Sequence, residues 1–170
     1  GGSWSQLGVD IDGEAAADEL GTSVSLSSDG TIVAVGATNN DGNGSESGHV
    51  RVYQFSGGSW SQLGGDIDGE AAGDNLGTSV SLSSDGSIVA IGADANDGNG
   101  LNSGHVRVYQ FSGGSWSQLG GDIDGEAAGD YSGWKVSLSS DGTTVAIGAY
   151  ANDGNGNNSG HVRVYKLVTF

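Results

Sequence analysis

A block of 56 residues is written three times in succession, and this repetition constrains the fold more than any single residue does. Trp4, Trp60 and Trp116 mark the spacing. Residues 1–56 and 57–112 agree at 47 of 56 positions, and 57–112 and 113–168 agree at 45. No linker separates the repeats 1–56, 57–112 and 113–170. A chain of this kind solves one packing problem three times, each unit covering the apolar face of the next.

Within a repeat the apolar pattern predicts four short strands and no helix. In the second repeat Thr78, Val80 and Leu82 alternate with serines over 77–84, a period of two. Asp85-Gly86 then offers a tight hairpin turn. Residues 87–93 (SIVAIGA) form a nearly continuous apolar run, the signature of a strand covered on both faces. A polar loop leads to 105–111, where Val106 and Val108 alternate with His105, Arg107, Tyr109 and Phe111. After Ser112-Gly113-Gly114, residues 115–120 make the fourth strand. GEAAGD is too short and glycine-rich for a stable helix. Four antiparallel strands in a unit of this size predict an all-β fold of β-propeller blades.

The repeats resemble a known family. Leu20-Gly21, Leu76-Gly77 or Ser132-Gly133 opens the first strand, and Gly36-Ala37, Gly92-Ala93 or Gly148-Ala149 closes the second. This pair of motifs is similar to the FG-GAP repeat, the integrin-type propeller blade, in the form found in tandem in bacterial surface proteins. The resemblance covers the whole chain and implies an extracellular or cell-surface setting. Leu or Ser replaces the family's Phe, and Thr38, Asp94 or Tyr150 replaces its final Pro. The family's calcium loop between the first two strands is replaced by a bare Ser-Ser-Asp-Gly turn, so that site does not carry over. Near-identity of the repeats implies recent duplication or design. With no initiator Met or signal peptide, the chain reads as an excised or engineered piece of a longer protein.

Composition narrows the function. Leu, Ile, Val and Phe number 35 of 170 residues, near the level at which acidic chains stay disordered, so order depends on the repeats covering one another. The absence of cysteine removes disulfides, thiolate metal sites and Cys nucleophiles. No apolar run is long enough for a membrane-spanning helix. A net charge of -16 argues against nucleic acid and anionic lipid as partners.

Three blades fall short of the four to eight that close a propeller. The chain opens on a fourth-type strand, 3–8, and ends on a third-type strand, 161–167. This predicts a half-ring in which strand 3–8 completes the last blade of a partner chain, giving a six-bladed homodimer by strand exchange. A three-blade monomer and a nine-bladed trimer are the alternatives.

Strand order also sorts the acids. The segments 9–19, 65–75 and 121–131 hold 13 of the 21 carboxylates, and 38–48, 94–104 and 150–160 hold five more. All 18 fall at one end of the blades. Asp10, Asp12 and Glu14, with Asp66, Asp68 and Glu70 and with Asp122, Asp124 and Glu126, alternate as Ca²⁺ ligands do. Ion pairing of Asp68 or Glu70 with Arg107, or plain solvation of the loops, is the competing reading. Arg51, Arg107 and Arg163, lying between valines, predict structural ion pairs. His49, His105 and His161 offer either a metal site or local hydrogen bonding, and pairing with Asp would raise their pKa. Trp4, Trp60 and Trp116 lie on the outermost strand, offering either a sugar-stacking platform or packing between blades with Leu7, Leu63 and Leu119 as apolar partners. The third repeat departs at Tyr131, Trp134 and Tyr150, either a ligand patch or an end-blade contact.

No nucleophile elbow or phosphate loop is present, and triplication disfavours a unique active centre. The expectation is therefore a non-enzymatic, self-assembling propeller scaffold, or part of a bacterial surface or extracellular repeat protein. The alternative is a calcium-dependent module that binds a glycan or protein through its acidic face.

Overall fold

Each repeat folds around a hairpin held by a single aspartate. In the first, the Asp29 carboxylate accepts the Thr31 N–H at 2.9 Å and the Ser27 hydroxyl at 2.7 Å, and Gly30 takes the positive φ of 72° that closes the turn. Asp85 and Asp141 repeat the arrangement. The Ser139 hydroxyl and the Thr143 N–H hold the Asp141 carboxyl down at about 2. The Ser-Ser-Asp-Gly segment is therefore self-sufficient, with its own donors where a cation loop would need ligands.

The computed structural model describes residues 1–168. The first sheet contains β1 (Leu20–Leu26), β2 (Ile32–Ala37), β3 (His49–Ser56), β4 (Ser59–Gln62) and β5 (Ile67–Asp68). The second contains β6 (Ser79–Leu82), β7 (Ile88–Ala93), β8 (His105–Ser112), β9 (Ser115–Gln118) and β10 (Ile123–Asp124). The third contains β11 (Ser132–Leu138), β12 (Thr144–Ala149) and β13 (His161–Lys166). All pairings between these strands are antiparallel, the order runs β1-β2-β3-β4, and no helix occurs among the described residues.

Two departures from the sequence-based expectation have clear causes. The fourth strand is broken: β4 pairs with the end of β3, and β5 pairs separately with its beginning. Gly64-Gly65 lets the chain swing out between them, so Arg51 on β3 faces a gap. The predicted strands 77–84 and 115–120 shorten for related reasons. Gly77 is held at φ 100° and donates to the Gly92 carbonyl beyond the regular ladder, while β9 stops at Gln118. In the single chain, residues 3–8 pair with no strand among the described residues, and β13 has β12 as its only sheet neighbour there.

The blades meet through serine and glycine as much as through the core. The hydroxyl of Ser25 accepts the Leu82 N–H at 3.0 Å, and that of Ser81 accepts the Leu138 N–H at 2.9 Å. The alternating serines thus cap the free edge of the next blade's first strand, which would otherwise expose unpaired donors. Between the first two blades, Val50 and Val52 pack with Leu76, Val80 and Leu82. Val106, Val108, Val145 and Ile147 fill the second seam.

The paired motif glycines are a packing requirement. A Cβ on Gly36 would stand 2.2 Å from the Gly77 carbonyl oxygen, and one on Gly92 would stand 2.0 Å from that of Gly133. The glycine closing one blade's second strand therefore lies against the glycine opening the next blade. Gly92→Ala must force this seam apart and should cost about 3 kcal/mol, the upper range for overpacking. Urea denaturation with the midpoint compared to the parent chain checks this.

Candidate functional site

Arg51 fills the gap left by the broken fourth strand. Its Nε and Nη2 donate to the two oxygens of Asp66 at 2.9 Å each, in the forked geometry suited to guanidinium. A second carboxylate, Glu14, bonds Nη2 from the other side. Glu14 lies on the segment entering the blade and Asp66 on the segment leaving it, so the arginine clamps successive connections together. Arg107 does the same with Glu70 and Asp122, its bonds to Asp122 measuring 2.8 Å. Gln62 and Gln118 each donate a further bond of 2.6 Å to Asp66 and Asp122. The Arg107 hydrogen bonds pull the Asp122 carboxyl down to about 2, and Arg51 lowers Asp66 in the same way.

These contacts place the carboxylates that the sequence offers to Ca²⁺. Glu14, His49 and Asp66 bring ligand atoms within 4.8 Å of one another, as do Glu70, His105 and Asp122. In both clusters a guanidinium already bonds the two carboxylates. Asp12, Asp68 and Asp124 remain exposed, and Asp10 accepts a bond of 2.8 Å from Gln6. Of the pairing considered for Arg107, Glu70 is in contact, and the second partner is Asp122 of the following repeat rather than Asp68.

The third clamp is half made. Arg163 bonds Glu126, but among the described residues it has no aspartate in the position of Asp66 or Asp122. The missing partner is the one a following repeat would bring. Asn43 behaves similarly, donating from Nδ2 to the carbonyls of Gly69 and Glu70 at 2.8 and 3.0 Å. Asn99 bonds Gly125 and Glu126, whereas Asn155 lacks any such acceptor among the described residues.

Two features escape the sequence reading. Asp18, Asp74 and Asp130 are buried, and each accepts from Asn40, Asn96 or Asn152 at 2.8–3.0 Å. They also accept the N–H of Ala15, Ala71 or Ala127. The signal is the invariant aspartate and asparagine 22 residues apart in all three repeats. The indoles of Trp60 and Trp116 donate to the Leu7 and Leu63 carbonyls of the preceding repeat, at 2.8 and 2.7 Å. Each Trp also packs against Phe55 or Phe111 of its own blade, the ring centroids 5.1 and 5.2 Å apart in tilted geometry.

His49 and His105 are buried, and their nearest carboxylates, Glu14 and Glu70, stand 3.9 Å from Nδ1. Burial first, then the adjacent arginine charge, pushes both imidazoles below the ordinary value of 6.5. The direction is opposite to the rise expected of an Asp-paired histidine, because no aspartate reaches the ring.

In the third repeat Tyr131 stacks on Tyr150 with centroids 5.5 Å apart, and Trp134 meets Tyr150 at 5.2 Å. The Lys135 ammonium sits 5.2 Å from the Trp134 ring centroid. The structure therefore brings together the three aromatics that depart from the repeat pattern.

Three blade-like sheets, arranged in sequence and joined through equivalent seams, define a β-propeller repeat protein. FG-GAP repeats match at residues 9–53, 67–109 and 123–165, and the chain belongs to the FG-GAP repeat family. Among solved structures it is similar to the hydrazine synthase of Kuenenia stuttgartiensis, with 12% identity and a TM-score of 0.55 over 93% of this chain. The chain spans 36% of that structure's length. A lower similarity, TM-score 0.43 at 9% identity, links 76% of the chain to 11% of the tricorn protease. No curated protein matches the sequence.

Removing the clamp should leave Glu70 and Asp122 facing each other without neutralisation. Arg107→Ala is expected to cost about 2 kcal/mol, below the range for a fully buried pair because Glu70 is half exposed. Chemical denaturation of the variant measures it.

Stability should also fall with pH in two stages. The unfolded chain takes up protons on its histidines before folded His49 and His105 do, so their contribution is complete above 6.5 and declines below it. Asp66 and Asp122 contribute fully above 3.8; the Asp122 part is lost as pH falls toward about 2, and the Asp66 part as pH falls through its own lowered value. Urea midpoints measured across pH should show both stages. The double variant His49→Asn with His105→Asn should flatten only the first.

Proposed function

We propose that the 170-residue chain is a non-enzymatic propeller module that self-assembles with a second copy into a six-bladed ring. The observation carrying this reading is the contrast between equivalent residues at inner seams and end faces. Val80 and Leu82 are each 7% exposed, while Val24 and Leu26, the same positions in the first blade, are 64% and 59% exposed. Val106 and Val108 are 0% and 9% exposed, against 69% and 66% for Val162 and Val164 in the third. The two end faces thus carry the two halves of the seam that is already packed inside the chain.

The polar contacts repeat the same logic. Trp4 is fully exposed, and in register with Trp60 and Trp116 it would donate to Leu119 of the second copy. Asp10 would complete the Arg163 clamp, and the carbonyls of Gly13 and Glu14 would receive Asn155. Residues 3–8, unpaired among the described residues of the single chain, would add to β13 as β4 adds to β3. Six is the only multiple of three among ordinary blade numbers, and two-fold closure leaves no heterologous face to propagate.

Native mass spectrometry tests the proposal. The expected species has twice the 16.8 kDa mass of the chain. Gly148→Ala is the selective probe. Within the chain its new Cβ meets nothing closer than 3.7 Å, whereas the same glycine at an inner seam has a carbonyl about 2 Å away. The variant should keep its β-sheet circular dichroism yet shift to single-chain mass. An unmodified chain that stays at single-chain mass at micromolar concentration overturns the proposal.

A further inference from the structure

At the acidic end of the blades a cleft of about 380 Å³ is bordered by all three repeats. Thr22, Thr38 and Asn39 come from the first, Asn75, Thr78 and Asp94 from the second, and Trp134 and Lys135 from the third. Only 16 of the 56 aligned positions differ between any of the repeats, yet every one of these lining residues stands at a position that differs. Exposed stretches elsewhere, such as GGSWSQLG and DIDGEAA, are identical in all three. Divergence that followed exposure alone would have reached them too. Where equivalent positions face one common space, different side chains give that space a shape and polarity that three identical blades cannot.

The third repeat departs most, and its departures are costly to the fold. Leu76, fully buried in the second repeat, is Ser132 in the third. Tyr131 is held at φ 54°, a left-handed conformation that Asn75 adopts readily at the same position and a tyrosine does not. Trp134 and Tyr150 are 42% and 50% exposed, so the aromatic group gains little from burial. Opposite it, buried Asp94 accepts the Thr78 hydroxyl at 2.6 Å through Oδ1, while its other oxygen takes no bond from another residue among those described. A carboxylate held by Thr78 through one oxygen, with the other left open to solvent beside an exposed indole, is placed to meet a ligand.

We infer that this cleft binds a neutral saccharide unit. Three threonine hydroxyls, two asparagine amides, one carboxylate and one ammonium present donors and acceptors together, which matches a ring bearing several hydroxyls that each donate and accept. Trp134, backed by its 5.2 Å contact with Tyr150, provides the apolar surface that the C–H face of such a ring packs against. The opposed charges of Asp94 and Lys135 leave the cleft near neutrality within a strongly acidic chain, which disfavours an anionic ligand. The site lies within one chain and does not depend on ring closure.

The test is titration of the ¹⁵N-labelled chain with glucose, galactose, mannose, N-acetylglucosamine and their β-linked disaccharides, followed at the Trp134 indole N–H. At least one sugar should produce a saturable shift in the millimolar range or tighter. Trp134→Thr installs the residue that the other two repeats carry, and its spectrum assigns the signal. That variant and the near-isosteric Asp94→Asn should each weaken binding at least tenfold, with the other indole signals unmoved. The inference is overturned if no sugar shifts the resonance, if binding survives both substitutions, or if free amino acids displace the sugar.

Discussion

The arginine clamp is the interaction on which the arrangement depends. A chain with 21 acids and five bases, most acids at one end, faces repulsion wherever its loops converge. Arg51 and Arg107 answer this where it is strongest, each joining the carboxylate of the incoming connection to that of the outgoing one. The broken fourth strand makes room for the guanidinium, and the fork geometry with Asp66 or Asp122 sets the path of the chain out of the blade. A lysine could neutralise charge there but could not hold two carboxylates with the same directional bonds.

The seams between blades use a different physics. They combine valine and leucine packing with backbone approach so close that only glycine fits, and serine hydroxyls satisfy the edge amides. The family's paired motif thereby gains a mechanical meaning. Its two glycines belong to different contacts in the sequence but to one contact in space, Gly36 against Gly77 and Gly92 against Gly133.

Strand identity was legible because Val80, Leu82, Val106 and Val108 alternate with polar residues, and turn position because Asp-Gly recurs. The broken fourth strand was not legible. Its cause is a pairing between Arg51 and Asp66, 15 residues apart, which periodicity does not register. The acids were visible as a charged end, but their division into clamp, buried Asp–Asn pair and solvated loop depends on neighbours from the adjoining repeat. Within DIDGE, Asp66 and Glu70 are each taken up by an arginine of a different blade, while Asp68 stays exposed, a division that spacing alone does not reveal. The histidine shift likewise required knowing that no aspartate reaches the ring and that burial dominates.

Identity and difference among the repeats thus have separate physical origins. Every seam presents nearly the same valines, serines and glycines, because a seam works only if each blade can receive the next. Substitution at Gly36 or Val50 in one repeat would spoil one contact without improving another. The positions lining the shared cleft carry no such symmetry requirement, since they meet across open space rather than through interdigitation. Next to them the third repeat has exchanged a core leucine for serine and accepted a left-handed tyrosine, changes that oppose stability. A repeat protein held together by like joints can absorb that loss at one seam, because the first seam, where Leu76 is kept, does not pass through the altered residues. The freedom to vary these positions follows from sharing stability among several seams, so that one weakened joint does not undo the others.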